Sequence, residues 1–196
     1  MHTNIDFYFD YGSPTSYLAY MRLPAIAERT RAQINYRPIL LGGVLKATEK
    51  AAPTAIPAKK EWLLADLSRW AKRYGTPFQM NPYFPIVTLN LMRGAIAMQR
   101  AGRFKEYSDT VFQAIWADGE NLGDPKVISK VLAQAGFDVP SLFAACDDPS
   151  VKAELKAATE SAVARGVFGA PTFFVNGELH FGQDRLDFVE EALNRA

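Results

Sequence analysis

The chain holds a single cysteine, Cys146, among its 196 residues. An intramolecular disulfide is therefore excluded, and so is dithiol exchange run by the chain alone. One cysteine fits a reducing compartment, and Cys146 reads as a small buried hydrophobe. An excess of charge of one sign is also missing: 22 Lys and Arg stand against 21 Asp and Glu, a net charge of +1. Charge thus gives no footprint for nucleic acid or an anionic membrane surface. No apolar run approaches the roughly 18 residues of a membrane span. The N-terminus, MHTNIDFYFD, lacks a basic region followed by an apolar stretch. No secretory signal is expected, and by that absence the expected location is cytoplasmic. Internal repeats, low-complexity segments and a metal-ligand pattern are absent as well.

What is present is enough apolar material for a real core, with 48% hydrophobic residues. The length suits one compact domain, or one domain with a large insertion. Residues 4–9 alternate, Ile5, Phe7 and Phe9 against Asp6, Tyr8 and Asp10, which predicts a strand with Tyr8 as its ambiguous position. Ser13 and Pro14 then read as N-cap and first helical residue of a helix that fades near Thr30. Gln33 to Ile39 reads as a second strand, parallel to the first. The stretch from Leu40 to about Pro57 is long for a loop and is functional, mobile or partly helical.

Helices are expected at Lys59–Tyr74 and near Thr88–Ala101, Phe104–Trp116, Pro125–Ala135 and Pro149–Arg165. The last two open on Asp124-Pro125 and Asp148-Pro149, each a cap followed by proline. Gly136 and Gly166 are plausible stops. Thr172 to Val175 is β-prone, Asn176-Gly177 is a two-residue hairpin turn, and Glu178 to Phe181 returns. A last helix runs from Asp184 to about Asn194. The fold class is α/β, thioredoxin-like, with a large all-helical insertion. Residues 1–41 form a βαβ half, 42–166 the insertion, and 167–196 a ββα half of one compact chain.

In such a fold the turn after the first strand faces the turn before the hairpin. The second turn here is Gly166-Val167-Phe168-Gly169-Ala170-Pro171-Thr172, and Pro171 sits where a cis peptide bond is expected. That geometry offers the backbone of Ala170 to an extended peptide-like ligand. Disulfide oxidoreductases of this fold place Cys-x-x-Cys at the first helix N-terminus. Here those positions read Ser13-Pro14-Thr15-Ser16, with oxygen in both sulfur positions. The helix start still presents free N–H groups and a positive dipole end, which stabilise an anion. A thiolate brought by a ligand gains from that site, and a serine hydroxyl can donate to it. Glutathione, a peptide thiol, is the obvious candidate. The rival reading of Ser13 is an ordinary helix cap.

The segments FYFDYGSPTSYLA, RPILLGGVLKAT, DLSRWAKRYGTPFQMNPYFP and GVFGAPTFFVNGELHFGQDRL resemble the 2-hydroxychromene-2-carboxylate isomerase family. That family stands beside the kappa-class glutathione transferases in the DsbA-like branch of the thioredoxin fold. The resemblance implies a glutathione-dependent isomerase of aromatic catabolism, a step of naphthalene breakdown, and a homodimer. It implies Ser13 as the catalytic serine that holds the glutathione sulfur. Ala170 and Pro171 would hold the peptide, and Gln183, Asp184 and Arg185 the glutamyl end, with Asp184 suited to the ammonium group. Lys59 is implied near a glutathione carboxylate, Lys46 near the substrate, and Asn81 and Tyr83 on the substrate side. Lys50 stands where relatives often carry asparagine. Bland rivals remain: Lys46, Lys59 and Arg185 as solvated surface charge, Asp184 as a cap, Asn81 as a turn residue. Two other functions stay open, a kappa-like transferase that consumes glutathione and a non-enzymatic peptide-binding relative.

Overall fold

The computed structural model describes residues 4–49 and 56–195. Strand β1 (Asn4–Phe9) leads into helix α1 (Pro14–Thr30), which returns to β2 (Gln33–Pro38). Then come α2 (Leu41–Ala47), α3 (Pro57–Tyr74), α4 (Leu89–Arg100), α5 (Phe104–Trp116), α6 (Pro125–Gln134), α7 (Val139–Asp147) and α8 (Pro149–Ala164). The hairpin β3 (Thr172–Val175) and β4 (Glu178–Phe181) is followed by a short 3-10 turn and α9 (Leu186–Asn194). The sheet order is β2-β1-β3-β4. β1 and β2 run parallel, with Ile5 opposite Ile34, as the βαβ reading expects. β3 runs antiparallel to both β1 and β4. The hairpin turn has positive φ at Asn176 (52°) and Gly177 (85°), the pair of values a tight Asn-Gly turn requires.

Both faces of the sheet are covered. Ile5, Phe7, Phe9 and Phe173 are fully buried against α1 and α9. Each such side chain removed from water contributes about 1.5–3 kcal/mol. On the other face Tyr8 and Phe174 pack with Val44 of α2 and Ala162 of α8. This corrects the reading of β1 as one apolar and one polar face. Tyr8 is buried, and Asp10, at the strand's end, is only 3% exposed. Alternation marks a sheet wetted on one side, and here a helical layer lies on each.

The caps fall where the sequence puts them. Ser13 caps α1, and its hydroxyl accepts from the Ser16 N–H at 3.1 Å. Asp124 and Asp148 cap α6 and α8, each followed by proline. Gly136 (φ 80°) and Gly166 (φ 91°) follow helix ends. Two helices are less legible in the sequence: α2 is one of the readings open for Leu40 to Pro57, and α7 is not among the expected helices. One, α2, occupies part of the irregular stretch, where Gly42-Gly43 obscures it. The other, α7, is capped by Asp138 with Pro140 in its first turn. Proline is tolerated there because that turn's N–H groups have no intrahelical acceptor. Among the described residues no helix is long and apolar enough to cross a membrane.

The helical insertion grips the turn between β1 and α1. Trp116 of α5 donates its indole N–H to the Tyr11 carbonyl at 2.8 Å. The Tyr11 hydroxyl meets that of Ser108 at 2.6 Å. Tyr17, one turn into α1, donates to the Pro77 carbonyl at 2.6 Å.

Candidate active site

The turn from Asp10 to Ser13 is closed by the Ser13 N–H on the Asp10 carbonyl at 3.0 Å. Asp10 then fixes three segments at once. Its Oδ1 accepts from the Gly12 N–H at 2.9 Å and the Thr88 hydroxyl at 2.7 Å, and its Oδ2 from the Leu41 N–H at 2.8 Å. Burial pushes the Asp10 carboxyl above its ordinary pKa, against the opposite pull of these three donors. The carboxyl thus joins the α1 start to the α2 start and to the α4 cap, and the first two of these line the same cavity. Sequence reasoning missed it. The available signal was an acid directly before a capped turn in an otherwise apolar run.

The Ala170-Pro171 bond is cis, as the sequence implies, and Phe84-Pro85 is cis as well. The Ala170 carbonyl lies against the helix start. The Ser13 hydroxyl donates to it at 3.1 Å and the Thr15 hydroxyl at 3.2 Å. Those two hydroxyl oxygens are 2.9 Å apart. In the first turn of α1, Pro14 has no N–H. The Ser16 N–H is taken by the Ser13 hydroxyl and the Tyr17 N–H by the Ser13 carbonyl. The Thr15 N–H is left as the turn's backbone donor without a partner among the described residues.

Ser13 to Thr15 and Gly169 to Pro171 face a cavity of about 470 Å³. One wall is apolar, with Leu41 and Leu45 from α2, Trp62, Leu63 and Leu67 from α3, and Met80. The lining also includes Phe168, Phe181, Gly182, Gln183 and Asp184. Phe168 and Phe181 pair with ring centroids 4.6 Å apart. A Cβ on Gly169 would lie 2.8 Å from the Phe181 ring, so this turn needs glycine for the ring to reach the cavity edge. Gly182 has φ 102°, and a Cβ there would collide with the Asp184 carboxylate. Glycine at this point is what lets Asp184 fold back beside Gln183. The Gly182 N–H donates to the Pro171 carbonyl at 3.0 Å, and the Tyr74 hydroxyl to the Gln183 carbonyl at 2.8 Å.

The expected site residues divide into two groups. Ser13, Ala170, Pro171, Gln183 and Asp184 are brought together on the cavity wall. Arg185 lies beside it, its guanidinium on the Asp184 carboxylate at 2.8 Å. Lys46 and Lys59 are exposed and do not line the cavity. Tyr83 is also exposed, and Asn81 is buried with its amide committed to backbone. Asn81 donates to the carbonyls of Ile115 and Glu120 and accepts from the Tyr83 N–H, which makes it a brace of the turn. The departure noted at Lys50 lies outside the described residues. Among the described residues on the wall, the charged side chains are Asp66 and Asp184. Cys146 is buried against the Asn90 carbonyl, and burial pushes its thiol up to about 11. Among the described residues no group of three or more His, Cys, Asp or Glu is placed to hold a metal ion.

The model of the DsbA-like thioredoxin domain matches residues 4–194. A 2-hydroxychromene-2-carboxylate isomerase of Sphingobium xenophagum is 33% identical, over 98% of this chain and 99% of that protein. The chain belongs to the 2-hydroxychromene-2-carboxylate isomerase family of DsbA-like thioredoxin folds. A solved structure of a 2-hydroxychromene-2-carboxylate isomerase superposes with a TM-score of 0.88 at 29% identity, covering 98% of this chain and 95% of that one. Human glutathione S-transferase kappa 1 is similar at 25% identity, over 96% of this chain and 90% of that protein.

Proposed function

We propose that the chain is a glutathione-dependent isomerase that interconverts 2-hydroxychromene-2-carboxylate and trans-o-hydroxybenzylidenepyruvate. One observation carries the reading. The Ser13 hydroxyl and the Thr15 N–H stand at the positive end of α1, on the floor of a mostly apolar cavity that contains no thiol of its own.

The residues fit a peptide thiol. The helix start favours a sulfur anion, with the Ser13 hydroxyl and Thr15 N–H as donors. The Ala170-Pro171 turn lines the cavity just before β3 and offers a backbone edge to a peptide. The Asp184 carboxylate, on the lining of the same cavity, suits an ammonium group. Bound there, glutathione would supply a thiolate that adds reversibly to the conjugated carbon of the open keto acid, leaving a single bond free to rotate before the double bond re-forms. The chain's part is to lower the thiol pKa, to align the two molecules and to exclude water. Leu41, Leu45, Trp62 and Leu63 form the apolar side against which an aromatic ring can lie. Each unit by which the thiol pKa falls corresponds to about 1.4 kcal/mol.

The test is isomerisation of the hydroxychromene carboxylate with and without glutathione, together with total thiol before and after. Conversion that requires glutathione and leaves it intact supports the proposal. The similarity to the human kappa transferase favours one second reading, in which glutathione is joined to an electrophile. Thiol consumed in step with substrate decides for that reading. Conversion indifferent to glutathione refutes both.

A further inference from the structure

The third residue of the helix-start motif, Thr15, is not explained by capping, since Ser13 already caps the helix. Its hydroxyl is nevertheless placed with purpose. It lies 2.9 Å from the Ser13 oxygen and 3.2 Å from the Ala170 carbonyl, and Thr15 lines the cavity. Two hydroxyl hydrogens therefore converge on one carbonyl oxygen. Ser13 has one hydrogen to give. While it points at Ala170, it is not available to a ligand atom in the cavity.

We propose that Thr15 is a positioning residue that turns the Ser13 hydroxyl from the Ala170 carbonyl toward the sulfur of a bound small-molecule thiol. The inference rests on the thiol reading of the site. With a sulfur anion at the helix start, the Ser13 hydrogen swings to it. Thr15 then keeps the Ala170 carbonyl satisfied. The second lone pair of the Ala170 carbonyl becomes free for an N–H of the ligand. No bond is made or broken in the protein, and each of the two hydroxyl hydrogens has an acceptor before and after. Without Thr15, releasing Ser13 would leave the Ala170 carbonyl with no hydroxyl partner, and Ser13 would stay on it.

The experiment titrates the ultraviolet thiolate absorption of glutathione bound to the wild-type protein, Thr15→Val and Thr15→Ser. S-methylglutathione, which has no ionisable sulfur, serves as the binding control. Valine keeps the shape of threonine and removes the hydroxyl. In Thr15→Val the bound thiolate fraction on the acid side of the titration falls about fivefold, the scale of one hydrogen bond. Thr15→Ser restores it, and affinity for S-methylglutathione falls far less than the thiolate fraction. A wild-type titration curve in Thr15→Val overturns the inference alone, leaving the thiol reading in place. Equal loss of S-methylglutathione binding in both variants also overturns it, since Thr15 would then only support the turn. Wild-type protein that forms no thiolate overturns the thiol reading and the inference together.

Discussion

Replacing Asp10 tests how the site is held. The carboxyl is buried, and it joins Gly12, Leu41 and Thr88 by three hydrogen bonds of 2.7–2.9 Å. Asp10→Asn keeps the shape and one oxygen. That oxygen can serve Gly12 and Thr88, while the new amide faces the Leu41 N–H, donor against donor. One buried N–H left without an acceptor costs about 1–3 kcal/mol. For a chain of this size a loss of ~2 kcal/mol lowers Tm by about 4–8 °C. The pH dependence carries the sharper test. Burial raises the Asp10 pKa in the fold, so the folded protein resists its ionisation more than the unfolded chain does. The stability tied to this group is full below the unfolded pKa of about 3.9 and is lost as pH rises through the folded value. Asp10→Asn has no such dependence, so its deficit is largest in acid and narrows toward neutrality. Urea unfolding of both proteins across that range measures it, by midpoint and slope. A deficit that widens with rising pH would mean that the three donors outweigh burial, and the reasoning fails.

Other expectations follow from the same geometry. Asp184→Asn weakens glutathione binding by about tenfold or more, the scale of a charge-assisted hydrogen bond, and leaves binding of a des-amino analogue unchanged by calorimetry. Lys46→Ala and Lys59→Ala each change kcat/KM by less than about fivefold, since neither side chain lines the cavity and an exposed ion pair is worth at most ~1 kcal/mol. A larger loss would place one of these cations on the ligand. Gly169→Ala displaces the Phe181 ring and raises KM for the aromatic substrate, read in steady-state kinetics. Burial holds His180 below its ordinary pKa, so stability tied to it is full above about 6.5 and is lost as pH falls. His180→Phe flattens that acid limb in urea titrations, and an unchanged limb contradicts the assignment.

Local signals carried far in this chain. The Ser13-Pro14, Asp124-Pro125 and Asp148-Pro149 caps, the Asn176-Gly177 turn and the βαβ order are all legible because each rests on a few adjacent residues. Asp10 was misread, and Tyr8 left ambiguous, for the opposite reason. Tyr8 is covered by α2 and α8 on the second face, and Asp10 is bonded by Leu41 and Thr88, all from other parts of the chain. The helix α7 was hidden by Pro140, which breaks helices in their interior but not in their first turn. Within the site, Ser13 and the Ala170-Pro171 turn were readable as two halves of one motif. Thr15 was not, since its hydroxyl gains meaning only when Ala170 lies 3.2 Å away. Asn81 and Tyr83 sit in a proline-rich turn whose sequence does not reveal that the amide faces inward to Ile115 and Glu120.

The most direct measurement of the central claim is the pKa of glutathione bound to the wild-type protein and to Ser13→Ala, read by thiolate absorption. The account predicts a bound thiol well below its free value in the wild type and a higher value in Ser13→Ala, with S-methylglutathione bound alike by both. An unshifted thiol in the wild type, or a shift that survives Ser13→Ala in full, would contradict the claim and leave Ser13 as a helix cap.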